Sequence, residues 1–110
     1  MAAGIVQINF TLTVSTEEYH QMSLSLTDTL AALPGLRWKI WLLNEENRRA
    51  GGLYLFESEA AAQAYVDGPI VASLHGAPFL TDLSVSQFGT IEDLTAATRG
   101  PVEFAGARGD

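Results

Sequence analysis

Residues 5–12, IVQINFTL, alternate without interruption: Val6, Ile8, Phe10 and Leu12 fall on one face, and Gln7, Asn9 and Thr11 on the other. A period of two is the signature of a half-buried strand. The period then changes. Ser15 stands as an N-cap with Glu18 three residues on, a capping box, after which Tyr19, Met22, Leu26, Leu30 and Leu33 recur at helical spacing. One long helix is predicted over residues 16–33, stopped by Pro34, which disfavours helical geometry at Leu33, and by Gly35, where the chain can turn. Residues 35–56, GLRWKIWLLNEENRRAGGLYLF, read as a hairpin: a strand to about Leu43, the polar turn NEENRRA, and a second strand GGLYLF. The loop exceeds two residues and lacks Asn-Gly or Asp-Gly, which leaves its turn type open. Ser58 caps a second, alanine-rich helix, closed by Gly68 where a left-handed residue is usual. PIVASLHG adds a short helical turn, LSVSQF at residues 83–88 alternates again, and a short helix is expected from Thr90.

Strand, helix, strand, strand, helix, strand is the ferredoxin-like βαββαβ order, an α+β fold with one antiparallel sheet and both helices on one face. The other face would carry Ile5, Trp41 or Trp38, and Leu43 or Leu42, depending on register, and would need cover. Two such sheets face to face make a dimeric α/β barrel, and 110 residues, a size that leaves much surface exposed, favour that homodimer. The chain divides into one domain over residues 1–98 and a C-terminal tail at 99–110, expected to be poorly ordered without a partner. A formal net charge of -7 repels phosphate backbones and anionic lipid heads, which argues against nucleic acid and membrane surfaces as partners. Apolar runs short of the roughly 20 residues a bilayer needs, no visible secretion signal and no cysteine agree with a cytoplasmic location.

Catalytic vocabulary is sparse. His20 and His75 are the two histidines, neither at a metal-ligand spacing, and no metal site is expected. His20 reads as a solvated helix residue, whereas His75 sits in SLHGAPF, a loop of the kind that carries functional side chains. The glycines of AGG, residues 50–52, belong to no phosphate-binding motif and suit a tight strand entry. No GxSxG elbow and no Ser-His-Asp grouping is legible. The conspicuous content is aromatic and amide: Asn9, Phe10, Trp38, Trp41, Tyr54 and Phe56, with Lys39 between the tryptophans. These residues serve either as core and dimer interface or as the wall of an apolar pocket for a flat aromatic ligand, oriented by Lys39, Asn9 or Tyr54. Three residues apart, Trp38 and Trp41 point to opposite faces of a regular strand, one under the helices and one on the second face.

The hairpin also carries a resemblance. Pro34, Gly35, Trp38, Lys39, Trp41, Glu45, Asn47, Ala50, Gly51, Gly52, Tyr54 and Phe56 form a pattern similar to the signature of a bacterial monooxygenase family of dimeric α/β barrels. Ser58, Ala62 and Tyr65 in the following helix are compatible with it, and element order agrees over about residues 4–98. The family is related by similarity to small antibiotic-biosynthesis monooxygenases, which oxidise phenolic polyketides with O₂ and no metal, flavin or other prosthetic group. The resemblance therefore implies a cofactor-free monooxygenase acting on a small aromatic or quinol-like molecule, whose protein part binds, orients and assists proton transfer. No catalytic residue of those enzymes maps onto a matched motif, so the expected site rests on the hairpin and on strand geometry. Tyr54, His75 and Asn9 are the expected catalytic residues, and Trp38, Lys39, Trp41 and Phe56 the expected substrate contacts. The chain departs from the pattern outside the hairpin, where Asn9 is a small amide in place of a stronger base and the tail runs on after Thr98. A cyclase, lyase or isomerase on the same barrel, and a binding module for an apolar metabolite, are the alternatives.

Overall fold

The computed structural model of the protein describes residues 2–102. Its four strands are β1 (Gly4–Leu12), β2 (Leu36–Asn44), β3 (Arg49–Phe56) and β4 (Leu80–Gly89). Five helices, α1 (Thr16–Leu24), α2 (Thr27–Ala31), α3 (Glu59–Val66), α4 (Pro69–Leu74) and α5 (Glu92–Ala97), complete it. The strands form one sheet in the order β2-β3-β1-β4 with every neighbour antiparallel, which is the ferredoxin-like arrangement. The alternation of β1 is realised as drawn from the sequence: Gly4, Val6, Ile8, Phe10 and Leu12 are buried, and the residues between them half-buried. Among the described residues no helix is long and apolar enough to cross a membrane.

Register settles the two faces. Tyr54 lies opposite Val6 and Lys39, and Gly52 opposite Ile8 and Trp41, so these side chains share the face on which α3 packs. Ile5, Trp38 and Leu42 belong to the second face. That face is not wholly bare, as the sequence reading had it. Trp38 Nε1 donates to the Pro101 carbonyl at 2.9 Å, and Leu94 and Thr95 of α5, with Thr98 just after it, line a groove with Ile5 and Trp38. Part of the stretch set aside as tail is thus held against the sheet, while residues 103–110 lie outside the described part of the chain.

Three local expectations are corrected. The long helix over 16–33 is broken into α1 and α2, because hydroxyls compete for its carbonyls. Ser23 Oγ donates to Tyr19 O at 2.8 Å, Ser25 Oγ to Met22 O at 2.7 Å and Thr27 Oγ1 to Leu24 O at 3.1 Å. Ser15 still caps the start, accepting from Glu18 N at 3.0 Å. Gly68 is not left-handed: at φ -87 and ψ 179 it is extended and opens α4, with Asp67 closing α3. The glycine pair is not at a strand entry but inside β3. A Cβ on Gly51 would lie 1.8 Å from the Ile8 carbonyl oxygen, so close approach of β1 and β3 excludes a side chain there. The hairpin turn is four residues, with Arg48 N donating to Glu45 O at 3.2 Å and Arg48 itself left-handed at φ 56.

Candidate functional site

An apolar cavity of about 240 Å³ lies between the sheet and the broken helix α1–α2, with α4 at its far side. Its floor is Ile8, Phe10, Lys39, Trp41, Gly52 and Tyr54; Tyr19, Leu30, Tyr65, Leu74 and Phe79 close over it. The chain has three tyrosines, and all three line this space. The sequence contains a single lysine, Lys39, and it is here as well. Phe10 meets Tyr19 edge-on at 5.9 Å between ring centres and Phe79 likewise at 5.9 Å, which makes one wall rigid and aromatic.

Lys39 is seated by its neighbours. Its Nζ lies 3.3 Å from the centre of the Trp41 ring and 4.7 Å from that of Tyr54. The side chain runs over Gly52, where a Cβ would come within 2.5 Å of Lys39 Cε and 3.3 Å of Nζ. Glycine at that position is what lets the lysine lie flat across β3. Among the described residues Lys39 makes no ion pair or hydrogen bond, and no carboxylate lines the cavity. Burial without a counter-charge pulls the Lys39 pKa down to about 7. The π-face of Trp41 acts the other way, favouring the ammonium. The result is an amine that carries a proton or releases it near neutrality.

The tyrosines do the opposite. Tyr65 OH donates to Tyr54 OH at 3.0 Å in a buried pair, their rings 4.9 Å apart. Burial, then the adjoining Tyr65, hold Tyr54 well above the ordinary phenol range, and burial also raises Tyr19 and Tyr65. All three stay protonated at neutral pH. The two hydroxyls share one hydrogen bond, so the pair has one further O–H to donate into the cavity.

Of the residues expected from the sequence, the cavity brings together Lys39, Trp41 and Tyr54. Trp38 is on the second face; neither tryptophan is fully buried, Trp41 being 38% exposed at the cavity mouth. Phe56 is wholly buried behind Tyr54, with ring centres 6.3 Å apart, and borders a separate cleft with Pro34 and Tyr65. Asn9 is on the second face, where its Oδ1 accepts from Gln7 Nε2 at 2.9 Å. His75 is exposed at the end of α4 and does not line the cavity, although Leu74 and Ala77 on either side do. Sequence reasoning did not single out Tyr19, Tyr65 and Phe79, which reach the site from helices and a loop, nor Gly52 as the seat of Lys39. A larger groove of about 580 Å³ lies on the second face beside Trp38, Ile91 and Leu94, but it is shallow and holds no titratable side chain. The inner cavity is the better candidate because it joins enclosure with groups that move protons. Among the described residues no three His, Asp or Glu side chains cluster as metal ligands would.

A family model described as "Putative mono-oxygenase ydhR" matches residues 5–101. The chain belongs to this family. Solved structures agree on the fold that the YdhR-family chain adopts. A protein of unknown function from Nitrosomonas europaea superposes with TM-score 0.68 at 18% identity, covering 83% of this chain and 91% of that one. SnoaB, a cofactor-independent oxygenase from Streptomyces nogalater, gives 0.65 at 12% identity over 82% and 94% of the two chains. The heme-degrader MhuD from Mycobacterium tuberculosis gives 0.61 at 22% over 79% and 95%. A dimeric ferredoxin-like protein of unknown function from Thermobifida fusca gives 0.59 at 26% over 82% and 93%. No curated protein matches the YdhR-family chain.

Proposed function

We propose that this YdhR-family protein is a cofactor-independent monooxygenase for a small, flat aromatic molecule bearing an acidic hydroxyl, a phenol or enol. The observation that carries the reading is Lys39, an amine held without a counter-charge among aromatic walls. Trp41 and Phe10 supply surfaces for a planar ring, and Tyr54 a hydrogen-bond donor that stays protonated. Neutral Lys39 takes the substrate hydroxyl's proton, and the ammonium so formed pairs with the resulting phenolate or enolate. The electron-rich anion then passes an electron to O₂, and the two radicals join as a peroxide. At a ring CH₂ the peroxide loses water, so CH₂ and O₂ give C=O and H₂O. SnoaB, described as a cofactor-independent oxygenase, supports this reading of the shared fold. Haem of the kind MhuD degrades does not suit the site: neither histidine lines it, and about 240 Å³ lies below the ~300–1,000 Å³ of pockets for drug-sized ligands.

The working unit is a homodimer with the second faces of two sheets apposed. Ile40, Phe88, Ile91 and Leu94 are each about half or more exposed there or at its rim, and the Thermobifida fusca relative is described as dimeric. Light scattering at micromolar concentration should report twice the chain mass; a monomer mass contradicts the barrel. Activity is tested by oxygen uptake with anthrones and hydroquinones. Stoichiometric O₂ consumption with quinone formation is expected. A ligand-induced rise in melting temperature with no O₂ uptake would instead make the protein a binding module or a non-oxidative enzyme.

A further inference from the structure

The cavity offers a second chemistry that oxygen transfer does not use. We propose that Lys39 is an imine-forming nucleophile toward aromatic aldehydes and ketones, so that the site captures carbonyl compounds covalently and reversibly.

Three observations converge on it. An amine attacks a carbonyl only through its lone pair, and protein lysines acquire one near neutrality when an apolar site leaves their charge unmatched. Lys39 meets that condition by geometry: aromatic rings flank its Nζ, no carboxylate lines the cavity, and no acceptor among the described residues binds it. Its depressed pKa agrees. Second, Gly52 fixes the approach. A Cβ there would come within 2.5 Å of the lysine's Cε, so the bare backbone leaves room for Nζ against the ring that a planar substrate would stack beside. Third, attack is helped by a hydrogen-bond donor to the carbonyl oxygen as it gains negative charge, and the Tyr65–Tyr54 hydroxyl pair supplies one, on a ring whose centre is 4.7 Å from Nζ.

The step balances within the site. The lone pair of Nζ forms a bond to the carbonyl carbon while the oxygen, hydrogen-bonded by Tyr54, takes a proton from Nζ. Nζ then gives its second proton to the same oxygen, the C–O bond breaks, and the oxygen leaves as water. The aldehyde and the amine become an imine and H₂O. No oxidant or reductant is consumed, and hydrolysis runs the same path backwards. The occupant is therefore a flat aromatic carbonyl compound of the size of naphthaldehyde.

The single lysine makes the test clean. The wild-type protein, kept anaerobic at pH 7.3, is incubated with 1-naphthaldehyde and sodium cyanoborohydride, which reduces the imine to a stable amine, and the adduct is mapped by mass spectrometry. Lys39 should be alkylated at least about 30-fold faster in the folded protein than in urea, because an ordinary lysine is neutral in only ~0.1% of molecules at that pH. Excess 1-naphthol, competing for the cavity, should slow it. The N-terminal amine serves as internal reference and should show neither effect. A Lys39→Arg variant with an unchanged melting profile should keep only the N-terminal adduct. Equal rates at Lys39 in the folded and unfolded chains, or no protection by naphthol, would overturn the proposal. The proposal shares Lys39 and the cavity with the oxygenase reading, and the two are told apart by pairing this anaerobic assay with the Lys39 titration: a midpoint near 7 without faster alkylation overturns this proposal alone, and loss of O₂ uptake does not touch it.

Discussion

Helix α3 rests so closely on the sheet that a Cβ on Gly4 would lie 2.8 Å from Ala62 Cβ and 2.7 Å from the Ser58 carbonyl oxygen. Helix α1, over the other half of the same face, buries no residue at all, and beneath it is a cavity of about 240 Å³. Sequence explains both. Alanines at Ala61 and Ala62 let α3 approach, and Val6, Phe56 and Ala62 are fully buried around it. In α1 and α2 the serines and threonines break the helix, so Leu26 is left exposed at the cavity mouth and only Leu30 reaches the core. The difference teaches that one half holds the fold while the other half encloses an unfilled cavity around Lys39, the space the proposed function gives to a ligand.

Substitutions on the two sides should separate accordingly. The largest effect is expected for Phe56→Ala, which should cost about 3–5 kcal/mol in urea unfolding, against under about 1.5 kcal/mol for Trp41→Ala, whose ring is 38% exposed. Equal costs would erase the distinction. The glycine pair sharpens it further. Gly51→Ala should cost about 3 kcal/mol, since its Cβ has nowhere to go but into the Ile8 carbonyl. Gly52→Ala should cost about 1 kcal/mol, because the end of a flexible lysine can move, but should weaken naphthol binding about tenfold by unseating Lys39.

Lys39→Met should stabilise the protein, and the effect should depend on pH. The Lys39 pKa is about 7 in the folded chain and 10.5 in an unfolded one. Between these values the unfolded chain binds a proton that the folded one lacks, so wild-type stability rises with pH across that window; below about 7 the full cost of the buried charge is present. The variant should gain about 2 kcal/mol at pH 6, after allowance for residual solvent and the Trp41 contact, and nothing near pH 10.5. A gain that is constant with pH would mean that the charge is not the cause. The smallest effect belongs to Tyr65→Phe, which removes one buried hydrogen bond and should cost about 0.5 kcal/mol in thermal unfolding.

The fold was legible because its signals are local and periodic. The alternation of residues 5–12 and the Ser15 and Ser58 caps each act within a few residues and stand in the structure as read, whereas the helix ends at Ala31, before the expected stop at Pro34. The helix break at Ser25 and Leu26 was missed because hydrophobic spacing continues through it, and only the hydroxyl hydrogen bonds reveal that the backbone does not. The site was half legible. Lys39 and its aromatic neighbours stand together in the sequence, and the tryptophan parity argument placed one ring on each face. Which ring joined the cavity depended on pairing Trp41 with Gly52, a long-range fact that also gives Gly52 its purpose. Tyr19, Tyr65 and Phe79 arrive from three separate segments, and nothing local marks their convergence.

The central claim, that the cavity presents an unmatched amine to an acidic aromatic ligand, is tested most directly by the pH titration of Lys39. With ¹³C-lysine the protein gives one Cε resonance, because the sequence contains one lysine. Alone, that resonance should titrate near pH 7, and with saturating 1-naphthol its midpoint should move up by one pH unit or more, as the bound phenolate holds the proton on Nζ. A midpoint near 10.5 that naphthol does not move would contradict the account, for Lys39 would then be an ordinary solvated lysine and the cavity a packing defect.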